Sequence, residues 1–176
     1  MVPAERLAPA EEALWRATMR IVTALPSRLD TDLLRGAGLT ASAYTTLLQL
    51  SEAPNHELRM TDLARATGLS ASRTSRLVDD LRGRGLVTKV ASSADARTMR
   101  ARMTTNGMAK LRFARPVHLE SVRRRLINNL DASSVGPLAD ALSAVARQLE
   151  RGSRWRTHLG ISPPDPPTVA SKRTII

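Results

Sequence analysis

The stretch from Ser70 to Arg76 brings together Ser70, Ala71, Ser72, Arg73, Thr74, Ser75 and Arg76, with no acidic residue among them. Small side chains allow close approach to another surface. Arginine presents a rigid fork of donors that matches a guanine edge or a phosphate. The chemistry that suits this run is recognition by hydrogen bonding. Ser70 is a good helix N-cap and leaves the amides of the following turn near any phosphate that approaches. Thr74, Leu77, Val78 and Leu81 recur at helical spacing and predict a buried face, so Arg73 and Arg76 point the other way. Asp79 and Asp80 lie further along and would repel a polyanion, which confines contact to the start of this helix.

Other chemistries find little support. The chain has no cysteine, which excludes disulfides, thiolate zinc sites and thiol redox sensing. His56, His118 and His158 lack neighbours at metal-ligand spacing, and Glu120 would not share a helical face with His118. There is no Gly-rich phosphate loop, no nucleophile beside a base and no paired-carboxylate pattern. The reading is therefore not an enzyme, with no cofactor and no metal.

The elements that must position Arg73 and Arg76 follow from periodicity. Leu14, Ile21, Val22, Leu25, Leu29 and Leu33 predict a long first helix from Ala10 to about Leu34, kinked or divided at Pro26 and ended by Gly36 and Gly38. Thr40 caps a second helix carrying Tyr44, Leu47 and Leu48. A short extended piece, Leu58 to Met60, precedes a helix capped by Thr61 and turned by Gly68. Helix, Gly turn and second helix to Gly85 form a helix-turn-helix. In it Ala64 allows close crossing, and Leu69 plugs the space between the two helices.

Leu86 to Ala91 and Ala101 to Thr104 read as a hairpin whose loop carries Asp95, Arg97 and Arg100, with Arg102 just beyond. Such a basic tip is a wing, able to enter a narrow minor groove. A fifth helix runs to about Leu130, bent at Pro116. A sixth, capped by Asp131 or Ser133, carries Val135, Leu138, Leu142, Val145 and Leu149. Residues 153–176 contain a Pro-rich run and read as disordered.

Charge is concentrated around the hairpin and the helix-turn-helix. The 176-residue chain carries +11, and Arg59 to Arg115 holds thirteen Lys or Arg against four Asp or Glu, a local +9. Such a concentration points to nucleic acid. With aromatics at only 2%, the core must rely on aliphatic residues, and few rings are left to stack on single-stranded bases.

The order of elements resembles the MarR family of regulators. Gly38-Leu39-Thr40 with Tyr44 looks like its second-helix entry, and Leu58-Arg59-Met60-Thr61-Asp62-Leu63-Ala64 like its strand and first reader helix. Ser70 to Leu86 is similar to its recognition helix. Asp95-Ala96-Arg97 matches its wing signature, and Met103-Thr104-Thr105-Asn106-Gly107 resembles the start of its fifth helix. Thr98-Met99, Pro116 and the Pro-rich tail depart from the pattern.

The resemblance implies a mainly α fold with a small β-hairpin, a winged helix-turn-helix joined to a helical dimerisation domain. The winged part would span 37–104, with 7–36 and 105–152 forming the dimerisation region. It further implies a homodimeric repressor on a palindromic double-stranded operator, read by Ser70, Ser72, Arg73, Thr74, Ser75, Arg76, Arg97 and Arg100. A small aromatic or phenolic effector would sit near Trp15, Arg16, Tyr44 and Arg115. A regulator without effector and an RNA-binding winged helix are the alternatives. The start of the chain lacks the basic-then-apolar pattern of a signal peptide and no stretch is long enough to span a membrane, so a cytoplasmic location is expected.

Overall fold

The computed structural model describes residues 6–91 and 99–152, and the chain divides into two units between Asn129 and Leu130. The first holds α1 (Pro9–Ala37), α2 (Ala41–Glu52), β1 (Glu57–Arg59), α3 (Met60–Thr67), α4 (Ala71–Gly83), β2 (Val87–Ala91), β3 (Met99–Met103) and α5 (Thr105–Arg125). The second holds α6 (Ala132–Gly152). The strands form an antiparallel sheet in the order β1-β3-β2. The expected fold class, mainly helical with a small hairpin beside a helix-turn-helix, is what this chain adopts. The wing tip with Asp95 and Arg97, and the tail from 153 onward, lie outside the described residues. No helix among the described residues is long and apolar enough to cross a membrane.

One aliphatic core underlies the reader elements. Leu33 of α1, Leu47 and Leu50 of α2, Leu63 of α3, Val78 and Leu81 of α4 and Ala101 of β3 are completely buried together. The cap of α2 is the expected one. Thr40 Oγ1 accepts from the Ala43 amide at 3.1 Å, and Asp30 Oδ1 accepts from the Ala41 amide at 2.7 Å, tying α1 to the start of α2. Gly68, with φ +67°, takes the left-handed turn that sends the chain from α3 into α4.

Several boundaries differ from expectation. Neither proline divides its helix: α1 runs through Pro26 and α5 through Pro116. Both rings are exposed, so the carbonyl each leaves unpaired can be served by water. Gly36 lies inside α1, where Val117 of α5 packs on it; a Cβ there would stand 2.7 Å from Val117 Cγ1. The cap of α3 is Arg59, with Thr61 already inside the helix. Leu69 is only half-buried, and α5 ends at Arg125, followed by a 3-10 turn.

Asp32 on α1 clamps the far end of α5. It accepts from Arg125 Nε at 2.7 Å, from Arg124 at 2.9 Å and from the Ser121 hydroxyl. Those hydrogen bonds, Arg125 foremost, hold its carboxyl far below the usual carboxylate range. In the second unit, Val135 and Leu138 of α6 are half-buried, while Leu142, Val145 and Leu149 are exposed.

At the joint between hairpin and α5 two backbone segments approach closely. Thr104 caps α5, its Oγ1 accepting from the Gly107 amide at 3.0 Å and donating to the Gly85 carbonyl at 2.8 Å. A Cβ on Gly107 would meet the Leu86 carbonyl oxygen at 2.1 Å. Backbone cannot yield as a flexible side chain would, so Gly107→Ala should cost about 1–3 kcal/mol or more in urea denaturation. Unchanged stability in that variant would contradict this packing.

Candidate nucleic-acid interface

The reader helix is divided by its own packing. Thr74, Val78 and Leu81 of α4 are buried against the core. Ser72, Arg73 and Arg76 lie on the opposite, exposed face, where three- and four-residue spacing makes them neighbours. Ser70 caps the helix, its Oγ accepting from the Arg73 amide at 3.4 Å. Arg76 Nε donates to the Ser72 carbonyl at 3.4 Å, drawing its side chain back toward the first turn. Thr74 requires a correction. It is 1% exposed and its hydroxyl donates to the Ser70 carbonyl, so it supports the helix from inside. Ser75 is half-buried and borders a small cavity with Met60, Lys89 and Met99.

The acids of this region are engaged by its own bases. Asp79 pairs with Lys89 of β2 at 2.9 Å and with Arg82 at 3.5 Å. Lys89 holds the Asp79 carboxyl below its ordinary value. Asp62 lies 3.8 Å from Arg65, and Asp80 lies 3.6 Å from Arg84. Glu57 of β1 binds both Arg100 and Arg102 of β3. Burial alone would raise the Glu57 carboxyl, but the bonds and charges of those two arginines hold it below its usual value. Among the described residues, no carboxylate pairs with Arg59, Arg73 or Arg76. Unspent positive charge therefore gathers at the start of α4 and at Arg59, which sequence reasoning had not named as a contact. Arg100, named as one, is instead tied to Glu57.

A capped reader helix with an outward Arg pair, after a Gly turn and before a hairpin, can be compared with known proteins. A family model described as the MarR family matches residues 37–98. The solved structure of AbsC, a MarR family transcriptional regulator from Streptomyces coelicolor, is 33% identical with a TM-score of 0.75, covering 85% of this chain and 100% of that one. The chain belongs to the MarR family. Sco3205, a MarR family regulator of the same organism solved in complex with DNA, is 31% identical with a TM-score of 0.76, covering 85% of this chain and 94% of that one. The transcriptional repressor MprA of Escherichia coli (strain K12) is 26% identical over 117 residues, 56% of this chain and 66% of that protein. The matched region is thus just under two thirds of MprA. MarR family proteins are transcriptional regulators, not enzymes, as the resemblance in the sequence implied.

The four residues expected around an effector in this MarR family chain are not gathered at one place. Tyr44 is buried, its ring 4.5 Å from that of His118. Burial pushes its phenol up, opposed by the charge of nearby Arg115. Trp15 is exposed, and Arg16 pairs with Glu12 at 2.6 Å. Trp15 precedes the buried Leu33 by eighteen helical residues, roughly 27 Å along α1. A cavity of about 380 Å³ lies instead between α1 and the end of α5. Arg20, Arg28, Arg124 and Arg125 wall it, and Ile21, Leu25 and Leu126 give it an apolar floor.

His118 was set aside as a metal ligand, and the structure gives it a packing role. Its Nδ1 is buried with no hydrogen-bond partner among the described residues, and burial depresses its pKa. A depressed folded-state pKa means that the unfolded chain takes up the proton more readily. The stabilisation is therefore fully present above about pH 6.5, the ordinary histidine value, and is lost as pH falls through the depressed one. The melting temperature should decline as pH drops below about 6.5, and His118→Phe should flatten that decline. Parallel pH profiles for the two proteins would contradict the assignment.

Proposed function

We propose that this chain is a homodimeric repressor that reads an inverted repeat in double-stranded DNA through the first turns of α4. The observation that carries the reading is the outward Ser72–Arg73–Arg76 face, free of acids and backed by a fully buried one. It is supported by Sco3205, solved with DNA at 31% identity. Arg73 is read as forking onto a guanine edge, with Ser70, Ser72, Ser75 and Arg76 lining the approach and Arg97 of the wing entering the minor groove.

The dimer is supported by apolar residues that stand exposed among the described residues. Leu14, Trp15, Ile21 and Val22 of α1 and Leu142, Val145 and Leu149 of α6 are exposed. Two copies would set their reader helices about one DNA turn apart, roughly 34 Å. Release by a small acid is read at the arginine-walled cavity, whose apolar floor suits the body of an aromatic carboxylate.

The experiment is a mobility shift with the DNA flanking the gene, at physiological salt, against excess random duplex. A shift that survives the competitor is expected; binding only at low salt without preference would overturn the reading. Arg73→Ala should lose about 1–3 kcal/mol of discrimination between operator and random duplex. Equal weakening on both would make Arg73 a phosphate contact only. Arg97→Ala should shallow the salt dependence by about one unit of slope per subunit. An unchanged slope would remove the wing tip from the interface.

A further inference from the structure

The register of the sheet places Glu57 and Arg59 of β1 opposite Arg102 and Arg100 of β3, with Thr88 and Val90 of β2 beyond them. Alternation puts these six on one face of the sheet. The other face carries Ala101, Met103 and Val87 into the core. Among the described residues, the solvent side of the wing root is thus three arginines and one carboxylate.

Glu57 stands on the edge strand of that face, against the arginines of central β3. Its side chain is 11% exposed, against 27% for Arg100 and 52% for Arg102. Oε2 accepts from Arg102 Nε at 2.6 Å, while Oε1 faces Arg100 Nε. A carboxylate that engages two guanidinia offers them what a DNA phosphate would offer. β3 leads directly out of the wing loop, so both arginines stand at the base of the element read as touching the minor groove. Free there, they would add affinity for any duplex, because phosphate contacts carry no sequence information.

We propose that Glu57 is a specificity-determining residue that withholds Arg100 and Arg102 from DNA phosphates, acting as a built-in stand-in for one. The inference rests on the DNA-binding reading above. It predicts a gain of function in the wrong direction. Glu57→Gln keeps the shape of the side chain and removes its charge, which releases the two arginines. Affinity for unrelated DNA then rises, and preference for the operator falls.

The test measures binding of wild type and Glu57→Gln to a labelled random-sequence duplex and to a duplex selected from a randomised library by the wild-type protein, across a salt series. The salt slope on the random duplex should steepen by one to two units for each subunit bound, so that between roughly 50 and 200 mM salt the variant dimer loses up to about a hundredfold more affinity than wild type. The ratio of selected to random affinity should drop. Adding Arg102→Gln to the variant should remove about half of the extra slope. An unchanged slope, or weaker binding to both duplexes, would overturn the proposal and leave Glu57 as a strut between β1 and β3. Should Glu57→Gln melt far below wild type, the single variants Arg100→Gln and Arg102→Gln decide. Slopes equal to wild type on random duplex support withholding, and slopes shallower by about one unit per subunit for either variant overturn it. Failure of wild type to bind any duplex at low salt would remove the DNA reading itself. Wild-type binding with an unaltered variant slope would remove only the role of Glu57.

Discussion

Everything functional in this chain hangs on one packing constraint, the burial of Thr74, Val78 and Leu81 along one side of α4. A side chain of Val or Leu gains about 1.5–3 kcal/mol from full burial, so rotating the helix to hide another face would be costly. That commitment decides what α4 shows to the outside. Ser72, Arg73 and Arg76 face outward because their neighbours must face inward. The core that holds α4 draws on elements from across the unit: Leu33 of α1, Leu47 of α2, Leu63 of α3, Val87 of β2, Ala101 of β3 and Leu111 of α5. The joint at Leu86, Thr104 and Gly107 then fixes where α5 leaves the hairpin, with tolerances too small for a single methyl group.

Electrostatics sharpen what packing exposes. A local surplus of arginine would make a uniformly sticky surface if each guanidinium stayed free. Instead Asp62, Asp79, Asp80 and Glu57 each engage a base of the same unit. The exposed pairs among them, those of Asp79 and Asp80, add little stability, commonly less than about 1 kcal/mol. The consequence of all four is a pattern: positive charge is muted along the flank of α4 and the root of the hairpin, and left open at the first turns of the reader helix. Asp79 and Asp80, which in isolation argue against a DNA-facing helix, prove to be partners of Lys89 and Arg84.

The order of elements, the reader helix with its cap and buried face, and the family were legible in the sequence because each rests on local signals: periodicity, a capping serine, a turn glycine. What was not legible depends on distance. Asp32 meets Arg124 and Arg125 across more than ninety positions, and nothing near Asp32 announces it. Glu57 opposes Arg102 only once the strand register is known. Thr74 was assigned two incompatible duties, core and contact, and burial decides for the core. Pro26 signals a kink or a division and Pro116 a bend by local chemistry; each helix continues through its proline, whose exposed face lets water satisfy the carbonyl that it orphans. Gly36 was taken as a helix end, whereas its missing side chain makes room for Val117.

The most direct test of the central claim is methylation interference at guanine N7 on a duplex selected by the wild-type protein. The account predicts two clusters of interfering guanines on one face of the duplex, about one helical turn apart, each weakened by Arg73→Ala. Binding that no guanine modification disturbs would show that α4 does not read the major groove, and would contradict the account at its root.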